Sequence, residues 1–186
     1  MYHFKPVSNE VRLAQKTFKT YKKTKKLILG AIFACIAAVL QSAGGFIPGI
    51  GYLLSPLATA PILLYSMLST PFGILAYFQT ILLLFILQPT ELIVFPFTTG
   101  LLGLGIGAAF YFFKHRLSII AAGTLSLMLG ISTLLFLLHY PILGPAFSNS
   151  LSYLTIGLIF FCCFLYSWIW VEIALIIFKR LKVFAS

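Results

Sequence analysis

The acid–base chemistry open to this chain rests on six residues: Glu10, Glu91 and Glu172, with His3, His115 and His139. Hydrolysis or group transfer within a membrane ordinarily takes paired carboxylates, a His/Asp metal set or an activated nucleophile. The spacing offers none of these. His3 and His115 belong to one side of the topology derived below and His139 to the other, so they are not expected to meet. Cys35, Cys162 and Cys163 lie in apolar stretches without CxxC spacing and read as small packing residues, not as metal ligands or a disulfide framework. No Gly-rich phosphate loop of the Walker type is present, so ATP hydrolysis is not expected of this chain. The expectation is a protein that is not an enzyme and carries no metal or cofactor.

Recognition chemistry is better represented. Gln41 and Ser42 precede a glycine-rich segment, Gln88, Thr90 and Glu91 sit between two apolar runs, and His139, Tyr140, Asn149 and Tyr153 surround a third break. Amide, carboxylate and aromatic groups of this kind can orient a small ligand under a flexible loop. The plainer alternative is a wet rim, with Thr90 capping a helix whose positive end favours Glu91, and with Tyr140 and Tyr153 as interfacial aromatics.

The elements that must position these groups follow from composition. Of 186 residues, 61% are hydrophobic and 9% charged, and the mean hydropathy is +1.07. A water-soluble domain carries about 25% charged residues, so lipid is the expected solvent. Roughly 20 apolar residues cross a bilayer as a helix, and six such runs are visible. They cover about Leu27–Leu40, Leu53–Leu68 (holding Pro56 and Pro61, hence short or kinked), Pro71–Gln88, Glu91–Phe113, Leu117–Tyr140 and Leu151–Phe178. The last exceeds one crossing, which implies tilt or a projecting end. The stretch Gln41–Gly51 reads as a loop or re-entrant segment because of its Gly and Pro content. The expected architecture is an all-α bundle of six transmembrane helices spanning residues 27–180, with a basic arm at 1–26 and a short tail at 181–186.

Charge sets the orientation. Eight of the thirteen Lys and Arg residues precede residue 27; the others are Lys114, Arg116, Lys179, Arg180 and Lys182. In a six-span topology all thirteen share one side, which the positive-inside rule assigns to the cytoplasm together with both termini. Within the arm, Val11, Ala14, Phe18 and Tyr21 fall at helical spacing among lysines, the pattern of either an interfacial helix on anionic lipid or a solvated basic arm. A cleaved signal is not expected, since the basic part is long and Gln41-Ser42-Ala43 is a poor cleavage site. Nucleic-acid binding is not expected either, because the cations hug span ends.

Small residues recur every four positions: Gly30, Ala34 and Ala38 on the first span, Gly103 and Gly107 on the fourth, Ala122, Ser126 and Gly130 on the fifth. Such strips let helices approach closely in lipid. Packing within the bundle is expected of the latter two, and a partner interface of the first. Glu172 is a functional candidate if it lies within the membrane, and an interfacial residue beside Trp168 and Trp170 if it does not.

The chain resembles the substrate-binding S components of energy-coupling factor (ECF) transporters. The residues that carry the likeness are Ala34-Cys35-Ile36-Ala37-Ala38, the Gly/Pro first loop, Pro56-Leu57-Ala58-Thr59-Ala60-Pro61, Leu68-Ser69-Thr70-Pro71-Phe72-Gly73, and Phe95-Pro96-Phe97-Thr98-Thr99-Gly100 leading into Gly103 and Gly107. The resemblance implies a multi-pass protein of a bacterial-type plasma membrane that captures a vitamin-like molecule outside. Its implied partners are a transmembrane coupling subunit, which would contact Ala34 and Ala38, and two cytoplasmic ATPases. The implied ligand pocket maps to the polar residues named above. An external N-terminal histidine motif, found in the metal-importing members, is lacking. A second reading is a non-transporting scaffold resembling the cell-shape protein MreD, which needs no occluded pocket.

Overall fold

A computed structural model describes residues 9–47, 49–139 and 153–183. Among them six helical runs are long and apolar enough to cross a membrane: Lys23–Phe46, Gly51–Leu68, Thr70–Leu87, Glu91–Phe112, Arg116–Leu137 and Ile156–Arg180. That number suits a multi-pass membrane protein. The described residues form no sheet.

The basic arm holds a helix, α1 (Asn9–Thr20), and the helix is docked on the bundle. Val11 and Phe18 are buried, contributing about 1.5–3 kcal/mol each by the usual scale for apolar side chains. Phe18 meets Tyr65 and Phe72 edge-on at ring separations of 5.8 and 6.1 Å. Gln15 Nε2 donates to the Met67 carbonyl at 2.9 Å, tying the helix to a neighbouring backbone.

Helix α2 runs from Lys23 to Phe46 without interruption. The loop expected over Gln41–Gly51 is thereby corrected, because Gln41 to Gly45 are helical and the turn is confined to the few residues before Gly51. Here the glycines serve close approach. A Cβ on Gly44 would lie 3.2 Å from Glu91 Oε1, and one on Gly45 would collide with the Gln88 amide at 2.0 Å.

The second span consists of α3 (Gly51–Leu54), a 3-10 turn (Ser55–Ala58) and α4 (Thr59–Leu68), so the irregularity expected from Pro56 is present. Ser69 alone, extended at φ −161°, separates α4 from α5 (Thr70–Leu87), which has Pro71 in its first turn, where a missing N–H costs nothing.

The fourth span is broken, where the sequence reading had one helix. Pro96 lacks an N–H and its ring crowds the preceding turn. The chain leaves α6 (Glu91–Phe97) at Thr98, with φ −120° and ψ −97°, and resumes as α7 (Thr99–Phe112). Carbonyls freed inside a bilayer need new partners. Tyr77 Oη donates to the Pro96 carbonyl at 3.0 Å, while Val94 O keeps its backbone bond from Thr98 N and also accepts from Thr98 Oγ1 at 2.7 Å. The Phe97 carbonyl faces Gly130 so closely that a Cβ there would sit 1.6 Å from it.

The fifth span is also irregular. After α8 (Arg116–Ser132) it widens into a π-helical turn, Thr133–Leu137, closed by Leu138 N donating to Thr133 O at 3.1 Å. Thr133 Oγ1 donates back to Leu129 O at 2.8 Å, a bond that bends helices. The last helix, α9 (Tyr153–Val183), has 31 residues, longer than one crossing as expected.

Helix α4 is the centre of the bundle. Gly103 and Gly107 seat α7 upon it: a Cβ at Gly103 would approach Thr59 O to 2.9 Å, and one at Gly107 would approach Ser66 Cβ to 2.4 Å. Helix α8 packs on α7, with Ser126 against Gly105, and α9 packs on α8. Helix α2 packs mainly on α5. The strip expected to face a partner, Gly30, Ala34 and Ala38, instead faces inward and is buried within the chain. The hydroxyl end of the Tyr65 ring lies against Gly30, its hydroxyl donates to the Lys26 carbonyl, and Thr80 closes on Ala34. A strip without bulk gives the closest approach, and here the bundle itself occupies it.

Candidate functional site

The bundle has a basic end and an opposite end that, among the described residues, carries no Lys or Arg. At the basic end lie α1, the start of α2, the turn around Lys114 and the Lys179–Arg180 pair. At the other, the end of α2, the 3-10 turn, and α6 bring together groups that are far apart in sequence.

Gln41 is the hub. It is 1% exposed, and both ends of its amide are engaged: Nε2 donates to Glu91 Oε2 at 2.7 Å, and Oε1 accepts from Thr99 Oγ1 at 2.7 Å. One side chain thus ties α2 to both halves of the broken fourth span. Thr99 is in place because the break at Thr98 lets α7 start there with its hydroxyl inward. Glu91 is half-buried, and its second oxygen rests near Gly44 and Ser55. The bond from the Gln41 amide spreads the charge of a carboxylate held in apolar surroundings, the kind of group that membrane spans rarely carry without a role.

The other sequence-derived candidates divide. Ser42 is buried but spends its hydroxyl on Val39 O at 3.0 Å, a local helical bond. Gln88 donates from Nε2 to Thr90 Oγ1 at 3.0 Å and lies against Gly45, on the rim of the hub. Thr90 makes no side-chain cap to α6, contrary to the capping reading, because its hydroxyl is taken by Gln88. His139 lies two residues past the π-helical turn, exposed and in the left-handed region at φ 49°, with no bond to the hub among the described residues. Tyr140 and Asn149 lie outside the described residues; Tyr153 opens α9, and only its place in the helix is described. Among the described residues no three His, Cys, Asp or Glu side chains gather as a metal site would require.

Two residues that complete the hub's surroundings were not singled out from sequence. Thr99 was visible only as part of a Pro/Gly-rich stretch, and Tyr77 only as an aromatic within an apolar run. Beside the hub's end of the bundle, an apolar cavity of about 120 Å³ opens between the π-helical turn and α9, lined by Met128, Ile131, Leu135, Phe136, Ile156 and Ile159.

Glu172 and Arg116 form the ion pair of the basic end, at 3.1 Å, with side chains 24% and 15% exposed. This joins α9 to the start of α8 and explains the acid without a ligand: its counter-charge comes from the chain itself.

Compared with protein-family models, with curated proteins and with solved structures, the chain matches none of them.

Proposed function

We propose that the chain is the membrane-embedded, substrate-capturing subunit of an ECF-type importer for a vitamin-like small molecule. Energy would come from two separate cytoplasmic ATPases working through a transmembrane coupling subunit. In this reading both termini and the basic end lie in the cytoplasm of a bacterial-type cell, and the Gln41 end faces outward.

The observation that carries the proposal is the Gln41–Glu91–Thr99 hub. It sits at the end away from the cations, and it spans a break in the fourth helix. Irregular backbone at membrane depth is tolerated chiefly where it is buried in protein or lines a cavity, and interrupted helices commonly frame binding sites. π-Helical turns such as Thr133–Leu137 are likewise frequent at functional sites. The polar groups around the hub suit an uncharged or aromatic ligand that needs a few directed hydrogen bonds.

The scaffold reading has one observation in its favour. The cavity between the π-helical turn and α9, about 120 Å³, has no hub residue in its lining and is smaller than the roughly 300–1,000 Å³ of typical ligand sites.

Native mass spectrometry of the gently purified chain separates the two. A co-purified small molecule at one-to-one stoichiometry, lost in Gln41→Leu while the protein stays folded, is expected for capture. A chain that carries only lipid and brings down cell-envelope proteins would instead establish the scaffold. Orientation is tested by single cysteines at Lys23 and Thr90: in intact cells, a membrane-impermeant thiol reagent is expected to label only the second.

A further inference from the structure

The groove between α1 and the α7–α8 turn, at the basic end, has no part in the capture reading. It measures about 260 Å³ and is open to solvent. Arg12, Lys16 and Lys19 reach it from one face of α1, at the four- and three-residue steps that align helical side chains. Lys114 reaches it from the turn after α7. Among the described residues no carboxylate lines it. Among the described residues the only ion pair is Arg116–Glu172, which uses none of these four cations. Four like charges around one concavity focus a positive potential that an anion relieves.

The groove is preformed. Buried Val11 and Phe18, with the Gln15–Met67 bond, fix the wall that carries the charges. Lys19 Nζ stands 5.9 Å from the centre of the Tyr111 ring, within reach of a cation–π contact.

We propose that this groove binds the phosphate of an anionic phospholipid headgroup. The apolar flanks distinguish a lipid from a soluble anion. Phe112 is 77% exposed, and Tyr111 and Phe113 on either side of it are exposed too, at the end of a membrane-length helix; all three line the groove. A soluble phosphate would leave these side chains in water, whereas a lipid seats its phosphate among the cations and its acyl chains against the aromatic flank. Basic pockets at the ends of membrane helices take headgroups in this way. The inference needs only that the six helices lie in a bilayer, and it stands whether the opposite end captures a substrate or not.

The test is native mass spectrometry of the full chain in detergent, titrated with phosphatidylglycerol or with phosphatidylcholine of the same acyl chains. One phosphatidylglycerol is expected to be retained preferentially, and K16Q/K19Q/K114Q is expected to weaken it by about tenfold or more. The control K22Q/K23Q/K179Q removes three cations that do not line the groove and is expected to leave binding unchanged. Circular dichroism confirms that both variants remain helical. Equal retention of the two lipids overturns the proposal. So does equal weakening by the control, which would mean diffuse charge without a site. Displacement of the lipid by inorganic phosphate at equal concentration would also overturn it, assigning the groove to a free anion.

Discussion

The two ends of this bundle handle polarity in opposite ways. At the Gln41 end the polar groups are few and bonded to one another: buried Gln41 donates from Nε2 to Glu91 and accepts at Oε1 from the Thr99 hydroxyl. At the basic end the polar groups are many and exposed, and among the described residues the one ion pair, Arg116–Glu172, uses none of the cations that line the groove. The difference follows from solvent. Water or lipid headgroups can satisfy Lys16 or Lys114 at little cost, so evolution has no need to pair them in the fold. Gln41 and Thr99 of the hub lie where neither reaches, and an unbonded partner there bears the cost of desolvation. A substitution that costs stability at the first end should therefore cost only binding at the second.

The strongest test of this contrast is the seat of the broken helix. Gly130→Ala places a methyl group 1.6 Å from the Phe97 carbonyl, and backbone cannot swing aside as a side chain does. A loss of at least about 3 kcal/mol is expected, the upper range for overpacking, read as a drop in thermal or denaturant stability in detergent. Wild-type stability would mean that the α6–α7 junction does not rest on α8.

Next comes the hub itself. Gln41→Leu keeps the volume roughly constant but strands the Glu91 carboxylate and the Thr99 hydroxyl, with an expected cost of about 2–3 kcal/mol. Removing the carboxylate as well, in Gln41→Leu/Glu91→Leu, is expected to cost much less than the two single changes added together, since the orphaned charge goes with it. Additive losses would show that the two groups are not coupled.

Tyr77→Phe removes one neutral bond to the Pro96 carbonyl and is expected to cost about 1 kcal/mol. At the basic end, Glu172→Gln is expected to cost under about 1 kcal/mol, less as salt is added, because the pair is partly solvated. Smallest of all, K16Q/K19Q/K114Q is expected to stay within about 0.5 kcal/mol of the parent per site, the range of ordinary surface changes. A large loss there would break the comparison, showing that the groove cations hold the fold together.

Much of this organisation is legible in the residues. A mean hydropathy of +1.07 with six apolar runs points to a multi-pass membrane protein, and the spans follow from run length. The GxxxG at Gly103 and Gly107 announces a close helix contact, and Pro56 announces an irregular second span. Gln41, Gln88 and Glu91 are conspicuous because polar residues are so scarce around them.

Other features were settled only by packing. Local composition made Gln41–Gly51 a loop, because Gly and Pro favour turns when nothing surrounds them; the helix persists to Phe46 because Gly44 and Gly45 admit Glu91 and Gln88 against its backbone. A strip such as Gly30–Ala34–Ala38 states that something approaches, and not what; Tyr65 and Thr80 of the same chain answer that. Pro96 permits a break without fixing where its freed carbonyls turn, a matter decided by Tyr77 and Gly130 on two other helices. Periodicity and hydropathy act over one helix turn or one span, so sequence alone determines the spans and their charge pattern. Which small residue meets which neighbour, and which amide finds which carboxylate across 50 positions, depends on the relative placement of helices. Only the tertiary structure supplies that placement.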